Sequence, residues 1–406
     1  MTDGLEAAIR AAAPRALAAL VRRYDAFDQC EDAVQEALLE AFVQWRGNGV
    51  PEQPIGWLIS VATRRLMDGW RRDNARRRRE LNDFLRSPAE EDPEDYREDA
   101  DDTVRLLVLC CHPALTPASQ VALTLRSVGG LTTAEVAAAL LVGEATVAQR
   151  ISRAKRLIQD AGARFELPTG EEYGVRLRAV LHVLYLIFNE GHTASAGDDL
   201  QRVDLAAEAL RITRLLHQAA GSSEVTGLLA LMILTHARRD ARTGPGGDLI
   251  PADRQDRTRW YADEIAEGTR LAEDALRSGP VGAYQLEAAI AAVHSEADSV
   301  EGTDWEQIAG LYRILAQVDP GPMVTLGSAV AVAMTEGPQA GIAIVDGLAG
   351  DKHLGDHHRR LSVLAHLHEL ADRPDLAREN YLAALDRTRN TAEQNYLRER
   401  LARLTD

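Results

Sequence analysis

The sequence predicts an all-α protein: two small helical domains joined by an acidic linker, then a larger helical C-terminal domain. Three observations lead there. Alanine and leucine are abundant while β-branched alternation is scarce, and apolar residues recur three and four apart along the chain. The charge is also blocked. Residues 1–80 carry 13 basic and 12 acidic groups, 81–103 carry 2 and 10, 104–166 carry 7 and 4, and the remainder 24 and 36. The net charge of −16 therefore hides two short blocks with basic clusters separated by an acidic bar.

Length and composition set the bounds. At about 150 residues per domain, 406 residues make two to three domains. Aromatics are only 5%, so packing must rest on small and branched aliphatic side chains. No apolar run reaches about 18 residues, which argues against a membrane span. The start, MTDGLEAAIRAAAPR, lacks the apolar core of a signal peptide. Three cysteines, two of them adjacent (Cys110 and Cys111), cannot frame disulfides, so a cytoplasmic protein is expected.

The first domain spans 8–80. Its segment EDAVQEALLEAFVQWR has a core stripe of Val34, Leu38, Ala41, Phe42 and Trp45. Asp32, Gln35, Glu36, Leu39 and Val43 also recur at helical spacing, mixing carboxylates with aliphatics. Such a face suits a protein interface with an apolar centre and charged rim, or a helix buried on two sides within its own domain. Pro54 then opens a helix in which Leu58, Ala62 and Leu66 pack, while Ser60, Arg64, Asp68 and Arg71 form a polar stripe. Arg71, Arg72 and Arg76 to Arg79 make a cationic end. With Trp57 and Trp70 they are the mixture of phosphate contacts and stacking surfaces that single-stranded nucleic acid requires, or a solvated basic face.

Residues 81–103 are acidic, contain proline and lack apolar periodicity, which reads as a linker. The second domain, 104–166, contains a capping box, Thr132-Thr133-Ala134-Glu135, opening a short helix that ends near Val142-Gly143. The next helix runs from Glu144 with Val147, Ile151, Ala154 and Ile158 as its buried stripe. Thr146, Gln149, Arg150, Arg153 and Arg156 point away from that stripe. Two helices about a tight turn, the second with basic and amide groups on its free face, fit a major groove, and equally an αα-hairpin with a solvated face.

The third domain, 167–406, opens after a Pro168-Thr169-Gly170 break. Leu361, Leu364, Ala365, Ala377, Tyr381, Ala384 and Leu385 fit a tetratricopeptide helix pair about a turn at Asp372–Pro374. Trp305, Ile308, Ala309 and Tyr312 fit the start of another pair. Such stacked pairs suit a peptide or protein partner. Asn189-Glu190-Gly191-His192, with His182 nearby, has no zinc-protease spacing, and Cys110-Cys111-His112 lacks a matching pair. No catalytic residue, metal or cofactor is assigned. A helical enzyme centred on His192 and Glu190 is the weaker alternative.

The two N-terminal blocks, in this order, resemble an extracytoplasmic-function (group 4, sigma-70 family) sigma factor of bacterial RNA polymerase. EDAVQEALLEAFVQW resembles the region 2 helix that docks on the β′ clamp, GWLISVATRRLMDGWRR the −10 helix, and LTLRSVGGLTTAEVAAALLVGEATVAQRISRAKRLI region 4. CCHPAL, VGEATVAQRISRAK and LYLIFNEGHTAS are similar to the subgroup with a tetratricopeptide-like C-terminal extension, group 42. The resemblance implies core RNA polymerase (β′ clamp and β flap) and promoter DNA as partners, with no membrane. It implies core binding by Asp32, Gln35, Glu36, Leu39 and Val43. It implies −10 contacts by Arg64, Arg65, Asp68, Arg71, Arg72 and Arg76, and −35 contacts by Thr132, Glu144, Thr146, Gln149, Arg150, Arg153 and Arg156. The alternative from another class is a polymerase-independent helix-turn-helix regulator gated by its repeats.

Overall fold

The computed structural model describes residues 2–74 and 100–404. Among them are eighteen α-helices and two strands of two residues each, so the fold is all-α. Two compact units are formed, Met1–Leu186 and Ile187–Asp406.

In the N-terminal unit, α1 (Thr2–Tyr24), α2 (Phe27–Asn48) and α3 (Pro54–Asn74) pack pairwise as a three-helix bundle. The buried side chains are small or branched: Ala16, Leu17, Leu20, Ala37, Leu58 and Ala62. Alanine at these positions lets helix axes approach closely, which compensates for the shortage of aromatics. Then follow α4 (Ala100–Cys110), α5 (Pro117–Ser127), α6 (Thr133–Ala139) and α7 (Glu144–Asp160). Helix α4 begins inside the stretch read as linker. Its Asp102 is 2% exposed and accepts from Arg22 and Arg105 at 2.8 Å each, so this carboxylate is fixed to the bundle. The acidic residues 81–99 lie outside the described residues. Thr116 caps α5 by accepting from the Ser119 N–H, and Pro117 takes the first helical position, where a missing donor costs nothing. Cys110 and Cys111 are buried at the end of α4, and burial pushes the Cys111 thiol up to about 12.

Helix α8 (Gly170–His192) starts at the predicted break, with Gly170 at φ 61°. The two units divide within this helix rather than at Pro168. Proline and glycine mark where a helix begins, but not where its packing partners change.

The C-terminal unit continues with β1 (Ala196–Gly197), α9 (Val203–Ala219), α10 (Ser223–His236), α11 (Ala262–Arg277), α12 (Ala283–Glu296) and α13 (Trp305–Val318). It ends with α14 (Pro322–Glu336), α15 (Pro338–Gly347), α16 (His358–Leu370), α17 (Pro374–Leu385), β2 (Arg389–Asn390) and α18 (Thr391–Arg403). Prolines at the first positions of α14, α15 and α17 set their starts. Most helices pack chiefly on their sequence neighbours, but α12 packs most extensively on α10, two helices back. Leu361, Ala365, Ala377, Tyr381 and Ala384 form one core with Leu397, so α16 and α17 pair about the turn at Asp372, which takes φ 55°. The end of the unit returns to its beginning. Strands β1 and β2 pair in parallel, and the buried Asn390 donates to the Ala194 and Asp199 carbonyls at 3.1 and 2.9 Å.

Gly227 of α10 has a steric reason. A Cβ there would lie 2.7 Å from the Gln285 backbone nitrogen and 2.8 Å from its Cα, so α10 and α12 cross at a distance only glycine permits. Gly227→Ala is expected to cost about 1–3 kcal/mol, read as a lower urea midpoint at unchanged slope. An unchanged midpoint would mean that the crossing relaxes freely.

Candidate nucleic-acid interface

Helix α2 presents two different faces. Ala33, Val34, Ala37, Leu38, Ala41 and Trp45 are buried against α1 and α3. On the other side, Leu39 and Val43 are each 73% exposed. Asp32 and Glu36 are exposed and Gln35 is half-buried, so the five residues chosen from the sequence form an outward face of an otherwise packed helix. Among the described residues, nothing in its own domain covers Leu39 or Val43. Phe42, expected in the core stripe, is instead 39% exposed, three residues on from Leu39. Val34, Leu38, Ala41 and Trp45 already fill the core-facing arc, leaving Phe42 at its edge.

The carboxylate end of this face is tied to α7. Lys155 Nζ lies 2.7 Å from Asp28 Oδ1, 3.0 Å from Glu31 Oε2 and 2.7 Å from Asp32 Oδ1. Glu31 is 2% exposed, and its other oxygen accepts from Arg126 Nε at 3.1 Å. Arg126 also donates to the Leu131 carbonyl. Burial alone would lower the Lys155 ammonium, but the three carboxylates outweigh it and hold it above the ordinary lysine range. The sequence reading gave Glu31 and Lys155 no role. One signal was present: Lys155 is one of only two lysines in an arginine-dominated chain. A compact ammonium with three rotatable donors suits three separate carboxylates, whereas a planar guanidinium does not.

The capping box of α6 is complete: the Thr132 hydroxyl accepts from the Glu135 N–H at 3.1 Å, and the Glu135 carboxylate accepts from the Thr132 N–H at 2.7 Å. The turn into α7 bends at Leu141, with φ 53°, and not at Gly143, whose φ of −64° is extended N-cap backbone. The left-handed residue is thus two positions before the glycine. Along α7, Val147, Ile151, Ala154 and Ile158 are buried. Glu144, Thr146, Gln149, Arg153 and Arg156 are exposed, Arg150 is half-buried, and Thr132 is exposed at the start of α6. The outward face is therefore polar and carries three arginines.

On α3, Arg64, Arg65, Asp68 and Arg71 are exposed. Arg65 reaches Glu40 of α2 at 2.8 Å, Arg64 meets the same carboxylate at 3.5 Å, and Arg71 pairs with Asp68 at 3.1 Å. The bond to Glu40 holds the Arg65 guanidinium above its ordinary range. Trp57 and Trp70, expected as stacking surfaces, meet other rings edge to face: Trp45 at 5.3 Å and Tyr24 at 5.6 Å. The side chain of Arg72 and the whole of Arg76 lie outside the described residues.

At the end of α8, Glu190 accepts from the backbone and hydroxyl of Ser195, shaping the turn that follows. A Cβ on Gly191 would lie 2.4 Å from the Ala206 nitrogen, so this glycine allows α8 and α9 to touch. Among the described residues, no cluster of three His, Cys, Asp or Glu side chains could hold a metal, and no helix is long and apolar enough to cross a membrane.

A sigma-70 region 4 model matches residues 105–158, which take in the second half of α4, α5, α6 and all but the last two residues of α7. A family of unknown function (DUF6596) matches residues 176–276. The chain is also 37% identical over 412 residues to an uncharacterized protein of Rhizobium meliloti (strain 1021), covering 99% of this chain and 96% of that one. No solved structure matches it significantly. The helix-turn-helix of α6 and α7 is therefore a DNA-binding module of the sigma-70 type. The chain belongs to one family with the Rhizobium protein, and within it residues 105–158 are similar to sigma-70 region 4.

Proposed function

We propose that the protein is a sigma factor that directs bacterial core RNA polymerase to specific promoters, of the extracytoplasmic-function type with a tetratricopeptide-like extension that modulates its activity. The observation that carries this is the outward face of α2. Two aliphatic side chains, Leu39 and Val43, stand 73% exposed between Asp32 and Glu36 on one side and Phe42 on the other, beside a sigma-70 region 4 domain. Adjacent exposed apolar side chains rimmed by carboxylates are the composition of a protein-interaction surface. In this reading Asp32, Gln35, Glu36, Leu39 and Val43 bind core polymerase. Thr132, Glu144, Thr146, Gln149, Arg150, Arg153 and Arg156 contact the −35 duplex. Arg64, Arg65, Asp68, Arg71, Arg72 and Arg76 handle the −10 strand. Arginine forks toward phosphates and guanine edges supply affinity and base choice, while the polymerase performs the bond-making chemistry.

The test is a titration of labelled full-length protein against core RNA polymerase at fixed moderate salt. Leu39→Glu places a charge in the apolar centre without touching any ion pair, and is expected to weaken binding at least tenfold. Asp32→Arg is the poorer probe, because it also strikes the Lys155 cluster. No saturable binding, together with tight operator binding in the absence of polymerase, would replace this reading with a stand-alone regulator.

A further inference from the structure

In the N-terminal unit the bundle α1–α3 and the module α4–α7 pack into one compact body. Helices α4 and α5 touch α1, and α7 lies on α2. Charged groups close this boundary. Asp102 of α4 pairs with Arg22 of α1 at 2.8 Å, and Arg126 of α5 with Glu31 of α2 at 3.1 Å. Lys155 of α7 reaches Asp28, Glu31 and Asp32 of α2 at once. Glu31 and Asp102 are each 2% exposed and Lys155 is 6% exposed, so the pairs lie inside the joint. Beside the Lys155 bridge the fit is loose. A cavity of about 380 Å³ lies between Val21 and Phe27 of the bundle and Leu109 and Ile158 of the other module. A permanent core would fill that space with apolar side chains. A joint of ions beside a void is one that can part, because each charge regains its water on separation.

Promoter recognition sets a length that this closed body does not meet. Elements centred at −35 and −10 are about 25 base pairs apart, or about 85 Å at 3.4 Å per step. Arg65 on α3 is bonded to Glu40 of α2. Glu40 lies eight residues from Asp32 on the same helix, about 12 Å along its axis. Asp32 is bonded to Lys155, which lies five residues from Arg150, about 8 Å along α7. Each bridging pair of extended side chains adds at most about 12 Å. Arg65 and Arg150 therefore stand no more than about 45 Å apart, even if this path were straight. A 90° bend midway in the duplex would still leave the two elements about 60 Å apart.

We infer that the bridge from Lys155 to Glu31 and its neighbouring aspartates is a latch. It holds a closed form in which the −10 and −35 surfaces cannot engage one promoter together, and α7 leaves α2 before they do. The inference rests on the polymerase reading for the identity of its two DNA surfaces. What opens the latch lies on the same helix. Asp32, whose side chain is 67% exposed, belongs both to the bridge and to the α2 face proposed to meet polymerase. A basic polymerase surface seated on that face competes with Lys155 for Asp32 and Asp28, so docking and unlatching favour one another. Without polymerase, promoter affinity is held down by the small fraction of open molecules.

The test is the distance between spin labels on the full chain carrying Ser60→Cys on α3 and Asp160→Cys on α7, both exposed positions. It is measured for the chain alone, with core polymerase, and with polymerase and a promoter duplex. Native Cys30, Cys110 and Cys111 are each 0% exposed and do not compete for label. A single short distance is expected for the free chain, lengthening by roughly 20 Å or more in the promoter complex. Lys155→Met is expected to give the free chain a long-distance population. It should also raise polymerase-free affinity for a −35 duplex about tenfold, the gain when a competent fraction near 10% becomes dominant. Lys155→Arg keeps the charge but not the three-way bonding, and is expected to fall between, which keeps the test readable if Lys155→Met unfolds. Arg277→Met, which breaks only exposed pairs on α11, leaves both readings unchanged. An unchanged distance in a complex shown to contain polymerase and promoter would overturn the latch. So would Lys155→Met and Lys155→Arg variants that match the parent in distance and affinity. Absence of polymerase binding would sink the polymerase reading instead, and the distances in free Lys155→Met then decide whether the bridge holds the two modules closed.

Discussion

Replacing Glu31 by leucine is expected to destabilise the N-terminal unit by about 3 kcal/mol, near the lower end for breaking a buried ion pair. The carboxylate is 2% exposed and satisfies Lys155 and Arg126 at once. Its removal leaves Lys155, 7% exposed at the side chain, with Asp28 and Asp32, which are themselves open to water. Arg126 keeps only the Leu131 carbonyl. For a unit of this size the loss corresponds to a melting temperature lower by roughly 6–12 °C. Pairing the change with Lys155→Met should recover much of the loss, because two apolar groups of similar volume replace an ion pair that had to be desolvated. A double mutant as unstable as Glu31→Leu alone would show that Arg126 is the partner that matters. The bridge also joins α2 to α7, so Lys155→Met is expected to expose Asp32 for the polymerase-facing role proposed for it.

Acid should unfold the C-terminal unit well before carboxylates are protonated. Burial, with neighbouring arginines in support, lowers His236, His294 and His358 to about 4, and His192 also falls well below its ordinary value. In the unfolded chain each titrates near 6.5. Between those limits the unfolded state binds more protons, so stability is fully present above about pH 6.5 and is lost as pH falls toward 4. Each histidine contributes about 1.4 kcal/mol per pH unit, so three together cost on the order of 3–4 kcal/mol between pH 6 and pH 5. Hydrogen exchange of the α10–α16 amides at pH 7, 6 and 5, corrected for intrinsic rates, measures this directly. Protection unchanged from pH 7 to pH 5 would refute it.

Much of the fold was legible because helix formation leaves a local trace. The stripe Val147, Ile151, Ala154 and Ile158 could be read from its spacing, and the Thr132–Glu135 box from four adjacent residues. The helix end near Val142-Gly143 could be read, but not that Leu141 takes the left-handed backbone while Gly143 is extended, because glycine marks a turn without fixing which residue bends. Phe42 was misassigned because periodicity gives the direction of a helix face but not its width. The outward face of α2 was visible as a mixture of Leu39 and Val43 with carboxylates. That it stays uncovered by its own bundle could be learned only from the packing of α1 and α3.

By itself the sequence determined the helical class, the two basic blocks separated by acid, the helix-turn-helix and the outward residues of α7. All of these are fixed by neighbours within one or two helical turns. Only the tertiary structure decided that Lys155 meets Glu31, 124 residues away. The reason is physical. Periodicity records which side of a helix avoids water, but a charge's partner is set by which helices cross and where, and that depends on the packing of the whole unit.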